Sequence, residues 1–158
     1  MRPSLYEFAG GDEAFLALAH AHHERCLADP LLNHPFSKED LNPQHVERLA
    51  AYWAEVLGGP PRFSAQLSDH SSMLRMHAGN GPGMLELAPL FVDCLVAAAD
   101  DVGLPADPDF RAALRAYMEW AVADVNEFHE SAASVPPGFG MPRWDWDGLV
   151  TSGRDRAP

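Results

Sequence analysis

The chain has 158 residues, 47 % of them apolar, and carries 11 basic against 23 acidic side chains, a formal charge of −12. That length favours one domain with a core of its own, and the apolar fraction argues against disorder. So acidic a chain is repelled by phosphate backbones and anionic lipid surfaces, which excludes nucleic acid and membranes as expected partners.

In chain order, the first predicted helix runs from about Asp12 to Leu27, with Phe15, Leu18, Ala19, His22, Cys26 and Leu27 recurring at three- and four-residue spacing. Asp29-Pro30 stops it, because the residue before proline avoids the α region. A turn of helix is expected over Pro30–His34, and Pro35–Asp40 is a polar connection carrying Phe36. Asn42 is suited to cap the next helix and Pro43 to open it. Val46, Leu49, Ala50, Trp53, Val56 and Leu57 form its stripe, and Gly58-Gly59-Pro60-Pro61 ends it. A loop with Phe63 and Leu67 leads to a short helix over Ser71–Ala78, capped by Ser71 or Ser72.

Asn80–Gly83 is a turn, and a long helix follows from about Met84 to Asp101. The last helix starts at Asp107-Pro108 and keeps its period to about His129. Residues 132–158 change character, with Pro136-Pro137-Gly138 and then Trp144-Asp145-Trp146. They are expected to be a mostly irregular tail packed on the body through its tryptophans. The pattern gives an all-α domain over 1–131 with an extension over 132–158. Periodicity alone does not separate a four-helix bundle from a globin-like sandwich.

The N-terminus lacks the apolar core of a signal peptide, and no apolar run approaches a membrane span. Cys26 and Cys94 both fall in helical patterns and are expected to be free thiols. A cytoplasmic protein is the expectation.

Eight histidines stand out. His77 lies near the end of the short helix, in Leu74-Arg75-Met76-His77-Ala78. A haem iron needs a neutral imidazole whose second nitrogen is held by a carbonyl, and a helix C-terminus offers unpaired carbonyls. Spacing alone favours the plainer reading, in which His77 only interacts with those carbonyls. His20, His23 and Glu24 share a helix face and make a non-haem metal site the rival. Matching motifs on the other helices are missing, so a solvated histidine face is the expectation there. His45 is balanced between surface and pocket. His34, His70 and His129 read as surface residues.

Leu27-Ala28-Asp29-Pro30-Leu31-Leu32, then Phe36, then Trp53 with Leu57-Gly58-Gly59-Pro60, then Leu74-Arg75-Met76-His77-Ala78 together resemble the truncated haemoglobins, the second group of them best. The resemblance spans about Leu5 to Val125. It implies a two-over-two helical sandwich holding haem b, with His77 as proximal ligand. It implies that Phe36, Leu49, Trp53, Phe63, Leu74, Phe91 and Val122 contact the cofactor and that Arg75 reaches a propionate. His45 falls at the ligand-facing position of the distal helix.

Two departures matter. His23 stands where that family carries a tyrosine, and Phe91 where its second group carries a tryptophan. Both usual donors to bound oxygen are therefore absent, and His23 and His45 are the candidates to replace them or to bind the iron. The expected function is binding of oxygen, nitric oxide or carbon monoxide, with peroxidase-like or nitric-oxide-consuming chemistry and an electron-donating reductase as further expectations. The chain is expected to be a monomer or a homodimer. A globin-like module without haem is the other alternative.

Overall fold

The computed structural model describes residues 2–32, 43–78 and 86–154. Its helices are α1 (Leu5–Ala9), α2 (Asp12–Ala28), α3 (His45–Val56), α4 (His70–His77), α5 (Ala88–Asp101) and α6 (Pro108–Asn126). A π-helical turn over Phe63–Leu67 joins α3 to α4. Near the C-terminus, β1 (Arg143–Asp145) and β2 (Gly148–Thr151) pair antiparallel, Trp144 opposite Leu149.

The helices form where side chains satisfy their ends. Ser4 and Glu7 make a reciprocal capping box on α1. Asp69 accepts from the Ser72 amide at 2.8 Å to start α4, so the cap is Asp69 and not the expected Ser71 or Ser72. Ser71 is instead buried, with its hydroxyl accepting from the Phe139 amide at 3.0 Å. Asp107 caps α6 through the Phe110 amide at 2.9 Å, with Pro108 in the first turn. The helix with Val46 and Trp53 begins at His45, later than expected. Asn42 and Asn80–Gly83, expected to form a cap and a turn, lie outside the described residues, as does Phe36.

The Gly58-Gly59 pair has a positional cause. The Tyr6 amide donates to the Leu57 carbonyl at 2.9 Å, which seats α1 on the end of α3. A Cβ on Gly59 would stand 2.7 Å from both the Ala54 carbonyl oxygen and the Tyr6 ring. Only glycine permits that approach.

Helix α2 packs on both α3 and α5, and α5 packs on α6, so one helical pair lies over another as a globin-like sandwich. Phe15, Leu18 and Ala19 of α2, Trp53 and Val56 of α3, Leu95 and Ala98 of α5, and Phe110, Leu114 and Tyr117 of α6 are all buried in one core. Burial of each large apolar side chain stabilises by roughly 1.5–3 kcal/mol.

The tail is mostly irregular, as its composition suggests, and carries the short hairpin of β1 and β2. Trp146 and Asp147 make the hairpin turn, and Gly148 opens β2 at a φ of 113° that other residues avoid. Trp144 packs against Tyr117 and Trp120, both at 5.9 Å between centroids. Trp146 meets Phe8 edge-on at 5.0 Å, lies under the Arg2 guanidinium and donates to the Pro3 carbonyl at 2.7 Å. The extension therefore reaches back to the first residues of the chain. Among the described residues, no helix is long and apolar enough to cross a membrane.

Candidate functional site

His77 is the last residue of α4, where the helix runs out of amide donors for its carbonyls. Its Nδ1 donates to the Met73 carbonyl one turn back, at 2.8 Å. That bond makes Nδ1 the N–H of the neutral ring and Nε2 the lone-pair nitrogen. The side chain is exposed, yet the protein around it desolvates the ring and lowers its pKa, against the opposing effect of the Met73 carbonyl. The carbonyl contact is the interaction that spacing alone favours, and it puts the ring's lone pair on Nε2.

Two more imidazoles pair with one another nearby, one of them close enough to feel the charge of His77. His45 opens α3 and His23 lies on α2, and their ring centroids are 5.8 Å apart at 59°. Burial lowers the pKa of His45 first, and the charges of His23 and then His77 lower it further. Burial also lowers His23, with His20 adding repulsion and Glu24 opposing it. Helices α2 and α3 therefore bring His23 and His45 together, His77 at the end of α4 acts on His45 through its charge, and all three are held toward the neutral form.

Behind them is an apolar wall. His22 of α2 is fully buried, and burial lowers its pKa to about 4. Its Nε2–H donates to the Phe91 carbonyl at 3.3 Å, and its ring meets Phe91 edge-on at 4.4 Å and Trp53 at 5.6 Å. The Cys26 sulfur lies 3.6 Å from the same nitrogen. His22 is a core histidine, as its place in the apolar stripe suggests. Trp53, Phe63 and Leu74 are buried, while Leu49, Phe91 and Val122 are partly buried against the core. Arg75 donates to the Val135 carbonyl of the tail at 3.4 Å.

The rival metal site is not assembled. His20 and Glu24 are exposed, His23 turns to His45, and no cluster of three ligating side chains occurs among the described residues. Cys26 and Cys94 are free thiols, as expected.

His70 corrects the surface reading given to it. It is fully buried, with Nδ1 accepting from the Tyr52 hydroxyl at 2.9 Å and Nε2–H donating to Asp124 Oδ2 at 3.1 Å. Arg154 from the tail pairs with the other Asp124 oxygen, and also with Glu127 at 2.7 Å. His129 is half-buried rather than a surface residue, its Nδ1 donating to the Asn126 carbonyl at 3.0 Å. His34 lies outside the described residues.

Comparison with known proteins agrees with this architecture. The thermostable haemoglobin of the actinobacterium Thermobifida fusca superposes with a TM-score of 0.61 at 30 % identity, covering 78 % of this chain and 96 % of that one. The haemoglobin of the thermophilic phototroph Chloroflexus aurantiacus gives 0.62 at 25 % identity, covering 78 % and 98 %. The group II truncated haemoglobin of Bacillus anthracis gives 0.64 at 18 % identity, covering 79 % and 92 %, a likeness of fold alone. None of the curated proteins matches the chain. Residues 4–129 match the family described as bacterial-like globin, so the chain belongs to the bacterial-like, truncated globins, a family of haem-binding proteins.

Proposed function

We propose that this globin carries haem b on His77 and binds a diatomic gas, oxygen, nitric oxide or carbon monoxide, on the side of His23 and His45. The observation that carries the reading is the 2.8 Å bond from His77 Nδ1 to the Met73 carbonyl, on a ring whose charge reaches His45. The residues present fit the group. One imidazole is fixed in the ligating tautomer, and Leu49, Trp53, Leu74 and Phe91 supply apolar surface nearby.

When bound, haem supplies an iron that coordinates the gas and exchanges electrons. The chain's own part is to hold that iron, exclude water and place N–H groups. His23 and His45, held neutral by burial, each offer one N–H to a polar bound ligand. They stand in for the tyrosine and tryptophan of the second truncated group, with which we place this chain. Proton supply from the same pair supports peroxidase-like or nitric-oxide-consuming turnover with an external reductase. Phe36, Phe63 and Val122 complete the cofactor contacts in this reading, and Arg75 leaves Val135 to meet a propionate. Residues 1–131 form the globin unit and 132–158 an extension.

Visible spectra of the purified protein, aerobic and anaerobic, test the reading. A Soret band that shifts with oxygen and carbon monoxide is expected. A protein that takes up no stoichiometric haemin would be a globin-like module without cofactor, and the proposal would fall.

A further inference from the structure

The three tyrosines differ in what their hydroxyls face. Tyr6 pairs with the Asp12 carboxylate near the surface. Tyr117 is buried, and its hydroxyl has no hydrogen-bond partner among the described residues. Tyr52 donates to His70 Nδ1 at 2.9 Å, and His70 donates onward to Asp124 at 3.1 Å. Tyr52, His70 and Asp124 are 6 %, 0 % and 7 % exposed. The direction of the chain is fixed from its far end. Arg154 keeps Asp124 an acceptor, so Nε2 must carry the ring proton and Nδ1 must offer its lone pair to the phenol.

Such a chain does more than satisfy buried polar atoms. A phenol that loses an electron becomes a strong acid, so a buried tyrosine is readily oxidised only where a base takes the proton in the same step. His70 is that base, and the imidazolium it would become already touches a carboxylate. Tyr117 has no such base. Tyr52 also adjoins the residues assigned to the haem slot: it follows Leu49 by three positions, precedes Trp53 and meets Phe63 edge-on at 5.1 Å. Beside His70 opens a cavity of about 340 Å³, lined by Glu55, Ser64, Phe139, Met141 and Arg143 as well. The Phe139 ring lies 6.5 Å from the His70 ring and offers an aromatic wall.

We propose that Tyr52 is a redox-active relay of a peroxidase reaction, that His70 is its proton acceptor, and that the cavity beside His70 takes the reducing substrate, a small phenol. The proposal rests on the haem reading above. In each passage the Tyr52 O–H bond breaks. The electron goes to the haem site, where hydrogen peroxide is the oxidant, and the proton goes to His70 Nδ1. The phenol in the cavity then returns an electron to Tyr52, the proton comes back from His70, and the phenol loses its own proton to solvent. Two passages and two solvent protons turn one hydrogen peroxide into two waters, and two phenols into two phenoxyl radicals.

The test is electron paramagnetic resonance on haemin-loaded protein mixed with hydrogen peroxide and frozen. A tyrosyl signal is expected in the wild type, Tyr6→Phe and Tyr117→Phe, absent in Tyr52→Phe and several-fold weaker in His70→Gln. Phe139→Ala should raise KM for guaiacol with the Soret band intact; an unchanged KM overturns the cavity assignment. A signal that persists in Tyr52→Phe, or none in wild-type protein that binds haemin, overturns the relay. Absence of a Soret band condemns the haem reading instead. The haem-free protein under a ruthenium polypyridyl photo-oxidant then decides on Tyr52 by itself: a tyrosyl signal unaffected by Tyr52→Phe ends the assignment.

Discussion

His23 on α2 and His45 on α3 bring their imidazole rings to 5.8 Å from one another, although 22 positions separate them in the chain. Burial lowers the pKa of both, so each ring is a single-proton donor at neutral pH. In the haem reading they face the gas ligand across from His77. His23→Leu and His45→Leu should each speed oxygen dissociation about fivefold, the worth of one hydrogen bond of ~1 kcal/mol. Stopped-flow rates check this, and the double variant should depart from additivity because the rings are neighbours.

Acid sensitivity follows from His22. Its folded pKa is about 4, below the ordinary 6.5, because burial penalises its charged form. A lowered folded pKa means that the unfolded chain binds the proton first. The stability linked to His22 is therefore fully present above pH 6.5 and is lost as pH falls from 6.5 toward 4. The whole loss amounts to roughly 3 kcal/mol at ~1.4 kcal/mol per unit. Urea midpoints between pH 7.5 and 4.5 should fall steeply in the wild type and distinctly less in His22→Gln.

Gly59→Ala should destabilise by roughly 1–3 kcal/mol, because its Cβ would meet the Ala54 carbonyl and the Tyr6 ring at 2.7 Å. Thermal unfolding measures it. Gly103→Ala is the comparison: it meets the φ penalty but nothing within 4 Å.

Trp144→Ala should cost about 3–5 kcal/mol, since it empties a 9 %-exposed site between Tyr117 and Trp120. Circular dichroism melts check it. A loss no larger than a surface substitution would mean that the hairpin does not hold the globin body.

What the chain wrote into local pattern was legible, and what it wrote into distant pairs was not. The stripe Phe15-Leu18-Ala19-His22-Cys26 marks the buried face of α2, and the same period places His22 in the core. His77 at the end of a short helix was readable because its partner, Met73, is one turn away. His70 reads as a surface residue because its partners, Tyr52 and Asp124, are 18 and 54 residues distant in the chain. A signal existed: His70 sits four before the buried Leu74, and Asp124 falls in the Tyr117-Ala121-Asp124 period of α6. Polar residues on an apolar stripe are buried polar residues that need partners. The hairpin had one too, in Asp147-Gly148, but its strands are too short for an alternating pattern to stand out.

The axial role of His77 is open to one direct measurement. Haemin titration followed at the Soret band should show stoichiometric uptake by the wild type, failure of tight uptake by His77→Gly, and recovery of the wild-type spectrum in that variant when free imidazole is added. A His77→Gly protein that binds haemin with wild-type affinity and spectrum, without imidazole, would contradict it.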